Sequence, residues 1–271
     1  MVQEAIPEVV ALDVETTGLY PHQGDRICEI ALLRIKSGQV VEKFVTLVNP
    51  ERELSFGAYL INHISPEMLA SSPKFREIAP LVRNFLQKRT LLMHNAAFDL
   101  SFLKTQMNNC GLVFPETELV DTLELARRFF NHSSNALYSL AEELKINFDR
   151  TARHRAEPDA WMAYLILKHF LKDLKRSGIG WPDIVSSTAR IDITLKVLEI
   201  LPGRLAGALG KRKRVPIRYV EKDDRVVNRE IEPVEVLSEH GVLYLLAYCV
   251  ASREERKFRL DRIVEVMENI E

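Results

Sequence analysis

Cysteine is scarce in this chain. Its 271 residues hold three, Cys28, Cys110 and Cys249, scattered and never in a Cys-x-x-Cys arrangement. Neither a disulfide framework nor a zinc cluster fits that pattern, and a reducing, cytoplasmic setting is expected. Excess charge is missing too. The formal net charge is −1, so the chain as a whole is not a basic coat for nucleic acid. Long apolar runs are also absent. The longest, Val242 to Ala251, is about ten residues and carries Tyr244 and Tyr248, too short to span a bilayer. Met1 to Val10 contains Glu4, Pro7 and Glu8 in place of a basic stretch followed by an apolar one, so neither a secretion signal nor a membrane partner is expected. Core material is ample, and at this length two domains are expected.

Val9 to Asp13 is a short apolar run with an acidic end, the profile of a buried strand delivering a charged group at its tip. Ile27–Ile35 and Val40–Val48 are β-rich and joined through Lys36-Ser37-Gly38-Gln39, a hairpin turn. Phe75–Leu86 has apolar residues at helical spacing (75, 78, 81, 82, 85 and 86). A strand over Thr90–Met93 and a helix over Ala96–Met107 follow, then helices over Leu119–Phe130, Tyr138–Leu144 and from Glu157-Pro158 to about Lys175. Three strands and then alternating helix and strand predict an α/β domain, a mixed sheet flanked by helices. Arg176 to Pro182, with two glycines and a proline, is the best break, dividing the chain into 1–178 and 179–271. Beyond it lie a helix candidate at Ala189–Leu201, the charge run Lys211–Arg214, and about six short strands. These strands are Ile217–Val220, Val226–Ile231, Val234–Leu237, Leu243–Cys249, Lys257–Leu260 and Val264–Met267. Lys222-Asp223-Asp224 reads as a turn between the first two, and a small barrel is the expected closure.

The chemistry concentrates in three stretches: Asp13-Val14-Glu15-Thr16-Thr17-Gly18, His94-Asn95-Ala96-Ala97-Phe98-Asp99 and His154-Arg155-Ala156-Glu157-Pro158-Asp159. Residues i and i+2 of a strand share a face, so Asp13 and Glu15 can reach one region. Asp99 and Asp159 each fall near the start of an expected helix. Four carboxylates meeting in one place repel unless cations neutralise them, and hard divalent ions take oxygen ligands. Two such ions about 4 Å apart suit in-line displacement at phosphorus. His154 lies on a polar segment between Arg153 and Arg155. An imidazole with a pKa near ~6.5 suits a general base, and the arginines favour its neutral form. Taken singly, an Asp-x-Glu pair is a solvated strand end and His94 a structural histidine. His22, His132, His169 and His240 lack a comparable context. The ordered set of five gives the signal.

These stretches resemble the three motifs of the proofreading 3′→5′ exonuclease family with four acidic residues and a histidine, of which the epsilon subunit of bacterial replicative polymerase is a member. The resemblance covers roughly residues 7 to 175, with Val120-Asp121-Thr122 and Ser139-Leu140 between the second and third motifs. It implies a ribonuclease H-like fold and hydrolysis of nucleic acid to nucleoside 5′-monophosphates. It further implies two divalent cations, Mg²⁺ or Mn²⁺, bound by Asp13, Glu15, Asp99 and Asp159, with His154 as general base. Thr16 and Thr17 would place the terminal nucleotide, and Leu19 and Phe98 would pack against it. Many relatives carry His-Gly-Ile-Thr where this chain has Asn62-His63-Ile64-Ser65, so His63 stands as a further candidate contact. Single-stranded or frayed 3′ ends are the implied substrate, DNA ahead of RNA, with a polymerase or repair complex as partner. The alternatives are trimming of short RNA, or a ligand-sensing or scaffold protein that binds strands.

From about Arg190 the chain resembles the WYL domain of bacterial regulators, through Val215 to Tyr219, Arg229 to Pro233, Leu243 to Tyr248 and Arg256 to Ile263. Leu243 replaces the first aromatic of the name-giving triplet. The resemblance implies an Sm/SH3-like barrel that binds nucleic acid or a nucleotide ligand, with Arg229, Tyr244, Arg256 and Arg259 as candidates. The arginines at 218, 229, 256, 259 and 262 are expected to line one face for phosphate contacts. From residue 181 onward 16 basic residues balance 16 acidic ones, so the rival reading is internal pairing.

Overall fold

A computed structural model describes residues 6–188 and 203–267 except 20, 22, 23, 55, 210, 212, 222–224, 240 and 241. The helix expected at Ala189–Leu201, the turn Lys222–Asp224, Arg212, His22 and His240 lie outside the described residues. The chain divides into two compact units, one ending at Ala189 and one beginning at Arg190.

The first unit is a mixed six-stranded sheet in the order β3-β2-β1-β4-β5-β6. Strand β1 (Val9–Thr16) lies at its centre, between β2 (Ile27–Lys36), antiparallel, and β4 (Thr90–Met93), parallel. Strand β3 (Gln39–Leu47) joins β2 through Ser37 and Gly38, whose φ values of +52° and +81° make the tight two-residue loop that suits a twisted hairpin. Strand β5 (Glu118–Asp121) runs parallel to β4, and β6 (Ser186–Ser187) antiparallel to β5. The central pairings are parallel and the outer ones antiparallel, the mixed sheet that the sequence predicts.

Two departures from the sequence reading matter for the site. Leu119–Phe130 is not one helix: Leu119 to Asp121 extend the sheet, and Asp121 then caps α5 (Thr122–Phe129) by accepting from Leu123 N–H at 2.9 Å. An apolar pair too short to show a period cannot declare itself a strand. In addition, the first unit continues past the break at Gly178 through the short α8 (Trp181–Ile184) to edge strand β6.

Helix α7 (Ala156–Arg176) packs across β1, β2 and β4, joined on that face by α5 and α6 (Leu137–Glu143). Val9, Ala11, Leu33, Leu92, Val120, Ala160, Leu167 and Phe170 form that core, all nearly or fully buried. Helices α3 (Phe75–Leu86) and α4 (Ala96–Asn109) pack together elsewhere in the unit. The buried stripe of α3 runs through Ala79, and Leu81 is exposed. Two short helices, α1 (Phe56–Asn62) and α2 (Pro66–Ala70), precede it. No helix among the described residues is long and apolar enough to cross a membrane.

The second unit is a five-stranded antiparallel sheet in the order β10-β9-β8-β7-β11, with β7 Val215–Val220, β8 Val226–Glu239, β9 Val242–Cys249, β10 Glu254–Arg259 and β11 Ile263–Val266. The two strands expected at 226–231 and 234–237 are one. Pro233 has no N–H for the ladder, and a register shift between Pro233 and Glu235 absorbs it without ending the strand. Leu205, Ile217, Ile231, Leu245, Ala247 and Phe258 are the core.

Candidate active site

Strand β1 outruns its neighbour. Its last pairing with β4 is Ala11 opposite Leu92, so beyond that point its edge meets side chains. The N–H of Val14 donates to Asp99 Oδ1 at 3.0 Å. Asp99 is thereby anchored beside the strand segment that carries Asp13 and Glu15. Asn95, in the left-handed region with φ +71°, turns the chain into α4 so that Asp99 falls in the first turn. Asp121 fixes that turn: its two oxygens accept from Asn95 N–H and Ala96 N–H, each at 2.9 Å. Asp121 thus binds the starts of α4 and α5 to the sheet, a role the sequence reading did not assign.

Asp159 arrives from α7. Ligand oxygens of Asp13, Glu15 and Asp159 all lie within 4.8 Å of one another. Asp99 stands beside this trio, close enough that its charge is the leading electrostatic contribution, after burial, to the rise in the Asp13 pKa. The start of α7 is set by Glu29, which is buried and sits opposite Glu15 in the β1–β2 register. Glu29 accepts from Arg155 Nε at 2.9 Å, from the Arg155 guanidinium again at 2.6 Å and from Ala156 N–H at 3.0 Å. The Tyr138 hydroxyl, from α6, donates to Asp159 Oδ1.

Electrostatically the cluster is under stress. Burial, then its neighbours' charges, push Asp13 well above the carboxylate range. Glu15 rises to about 8, through burial first and then Asp159, Glu29 and Asp99. Asp159 rises to about 6 through burial, although the Tyr138 hydroxyl and the His154 backbone favour its charged form. Asp99 rises through burial against the pull of the Val14 N–H. Carboxylates that resist ionising together, with oxygen donors converging, fit a hard divalent cation.

His154 is exposed on the segment before α7, with φ +58°, its ring edge-on to Tyr138 at 5.8 Å between centroids. Burial, then Arg153 and His63, hold its pKa below the ordinary imidazole value. His63 is exposed and also left-handed, at φ +56°. His94 is held near 4 by burial and stays neutral against the Thr122 hydroxyl, 2.9 Å away.

Among the other expected contacts, Leu19 is 63% exposed and Phe98 half-buried against Phe102. Thr16 is nearly buried and donates to Gly18 O at 2.6 Å. Thr17 is fully buried, donating to Asp25 at 3.2 Å and accepting from Arg26 N–H at 3.0 Å. Its hydroxyl shapes the loop that presents Leu19. Asp25, in turn held by Arg52 at 3.1 Å, was not singled out by the sequence reading.

In the second unit the arginines do not share one face. Arg229 pairs with buried Ile217, and Arg256 with buried Ala247, so both lie on the core face. Arg218 and Arg259 point to the other face, with Arg259 directly opposite Tyr244. Register, not local spacing, decides this, because a one-residue offset reverses every side chain. Several are also paired internally: Arg229 with Glu221 at 2.7 Å, Arg218 with Glu265 at 3.0 Å and Arg214 with Glu232 at 3.3 Å.

Comparison with known proteins adds an independent line. The family profile described as Exonuclease matches residues 10–167, and the WYL domain profile matches residues 202–267. Over 168 residues the chain is 34% identical to the 3′-5′ exonuclease DinG of Bacillus subtilis, covering 62% of this chain but 18% of that protein. It is 37% identical over 156 residues to DNA polymerase III subunit epsilon of Rickettsia prowazekii, covering 56% of this chain and 68% of that protein. Exonuclease X in complex with 5′ overhanging duplex DNA superposes with a TM-score of 0.51 at 26% identity, covering 65% of this chain and 96% of that one. With its profile matching more than half of the residues and the epsilon subunit matched over two thirds of its own length, this chain belongs to the exonuclease family.

Proposed function

We propose that this chain is a two-metal 3′→5′ exonuclease that shortens DNA from single-stranded or frayed 3′ ends and releases nucleoside 5′-monophosphates. The observation that carries the reading is the convergence of Asp13, Glu15 and Asp159 oxygens within 4.8 Å, with Asp99 fixed alongside. These four carboxylates would hold two Mg²⁺ or Mn²⁺ ions, which when bound supply a strong nucleophile at neutral pH and offset charge on the scissile phosphate. The protein's own groups do the rest. His154, exposed and neutral near pH 7 because its pKa is depressed, takes a proton from the attacking water. Leu19 and Phe98 offer apolar surface to the terminal nucleotide, Thr16 shapes the backbone that meets it, and His63 adds a polar contact. DNA is favoured over RNA by the likeness to the epsilon subunit and to Exonuclease X. A polymerase or repair complex is the partner that follows from the same likeness. Three free cysteines suit a cytoplasmic setting.

We assign catalysis to the first unit and a substrate-binding role to the second. The second sheet is read as closing into a small barrel. Edge strands β10 and β11 are joined by one 3₁₀ turn, Leu260–Arg262. Such a link spans about 15 Å at full stretch, whereas the edges of a flat five-stranded sheet lie about 19 Å apart. Tyr219 of β7 packs edge-on against Phe258 of β10 at 5.1 Å, as a rolled sheet requires. Tyr244 and Arg259, paired on its outer face, are the first candidates for a nucleic-acid contact. Arg229 and Arg256 remain candidates on the core face.

The test is digestion of matched 5′-labelled DNA and RNA strands, single and duplex, with Mg²⁺, Mn²⁺ or EDTA. Stepwise shortening of DNA from the 3′ end, dependent on the metal, is expected. Endonucleolytic products, or activity undiminished by EDTA, would overturn the reading.

A further inference from the structure

We propose that Tyr138 is a positioning residue for this reaction. Its hydroxyl fixes the orientation of Asp159, and its ring holds the segment that carries His154. The inference rests on the reading of the site given above and deepens it.

Tyr138 lies in the first turn of α6, outside the three acidic stretches. Its hydroxyl donates to Asp159 Oδ1. A carboxylate with one oxygen engaged in this way no longer rotates freely about its Cβ–Cγ bond, so its ligand geometry is set before a cation arrives. The ring meets three further groups. His154 is edge-on at 5.8 Å, the Arg153 guanidinium sits 4.7 Å over the ring, and Phe148 tilts against it at 5.1 Å. Arg153 also lies 5.2 Å over Phe148 and reaches back to Glu142 of α6 at 2.7 Å. The left-handed φ of +58° at His154 is a conformation that side-chain-bearing residues rarely adopt and that costs free energy to hold. Contacts outside the segment must therefore hold it, and Tyr138 lies at their centre. Filling the core is not reason enough for this residue. Tyr138 is half-buried and lines a cavity of about 420 Å³ together with Phe148 and Trp161, so a phenylalanine would pack there as well.

The two roles separate by substitution in the full chain. Tyr138→Phe keeps the ring and removes the hydroxyl, whereas Tyr138→Leu removes both. Three quantities are read: Mn²⁺ affinity without substrate by calorimetry, trypsin cleavage between Arg150 and Arg155, and kcat with KM at saturating Mn²⁺. Tyr138→Phe is expected to weaken Mn²⁺ binding about tenfold, with an unchanged thermal midpoint and trypsin resistance, and with kcat recovered at saturating Mn²⁺. Tyr138→Leu is expected to show the same loss of affinity, faster cleavage of the segment, and a fall in kcat that Mn²⁺ does not restore. Wild-type Mn²⁺ affinity in Tyr138→Phe would overturn the first role. Unaltered trypsin resistance and kcat in Tyr138→Leu would overturn the second. A wild-type protein that binds Mn²⁺ but releases no nucleotide would refute the nuclease reading instead, and the affinity and proteolysis comparisons would still decide what Tyr138 does.

Discussion

Glu15 and Glu29 face each other across the β1–β2 register, yet only Glu29 is clasped on both oxygens by a cation, Arg155. One carboxylate of the pair builds the fold, and the other, with no such clasp, is left for the site. The difference lies in a partner 126 residues away in sequence.

Removing that partner should loosen the start of α7. Arg155→Met leaves Glu29, whose side chain is 4% exposed, buried without its cation. Because Arg155 itself is partly exposed, a loss of about 3 kcal/mol is expected, the low end for a broken buried pair. Urea unfolding in EDTA measures it. Glu29→Gln added to Arg155→Met should recover part of the loss, and a double mutant as unstable as the sum of the singles would contradict the pairing argument.

The convergence of the acidic side chains was legible in the sequence because the proposed chemistry fixes their type and order. Asp13 and Glu15 need only strand alternation, and Asp99 and Asp159 need only a helix start. What supports them was not legible. Asp121 and Glu29 look like ordinary strand ends, and their value comes from backbone amides supplied by other elements. Thr17 occupies a motif position but turns inward to Asp25. The arginines of the second unit alternate plausibly, yet their faces depend on strand register, which no local pattern states. Pro233 suggested a strand end for the same reason, since a bulge that absorbs a proline has no signature of its own.

Acid should strengthen the metal-free fold. Glu15 has an ordinary value of 4.5 and is raised to about 8 in the folded protein. Both states are protonated well below 4.5. Above that the unfolded chain releases its proton first, so the folded state loses stability progressively until pH 8. His94, held near 4 from an ordinary 6.5, gives the opposite slope below 6.5. The clean window is therefore pH 6.5 to 8. Stability in EDTA should fall there by roughly 1–2 kcal/mol, and saturating Mn²⁺ should remove the slope. A thermal midpoint independent of pH in EDTA would contradict the predicted charge stress.

Asp13→Asn should separate stability from activity. The substitution deletes a charge that its neighbours oppose while keeping the side-chain shape, so the thermal midpoint in EDTA is expected to rise. Nucleotide release is expected to be lost, because one of the converging oxygens is replaced by an amide nitrogen that cannot ligate a hard cation. Differential scanning fluorimetry and a gel assay on one preparation suffice. Retained activity would remove Asp13 from the site, and a lowered midpoint would mean that its carboxylate serves the fold.

His154 offers the sharpest division between holding a metal and moving a proton. It donates no oxygen to the acidic trio and stands exposed beside it, so His154→Ala should leave Mn²⁺ affinity unchanged. Loss of a general base lowers rates by roughly 10²- to 10⁴-fold, and kcat should fall within that range with KM nearly constant. Burial and Arg153 depress the imidazole pKa, so the wild-type enzyme at saturating Mn²⁺ should keep its activity to a pH below 6.5. In the variant that limb should vanish. Because the ring is exposed, added imidazole should restore part of kcat in proportion to its neutral fraction. Failure of imidazole to rescue, together with weakened Mn²⁺ binding, would show that His154 supports the metal site and does not accept the proton.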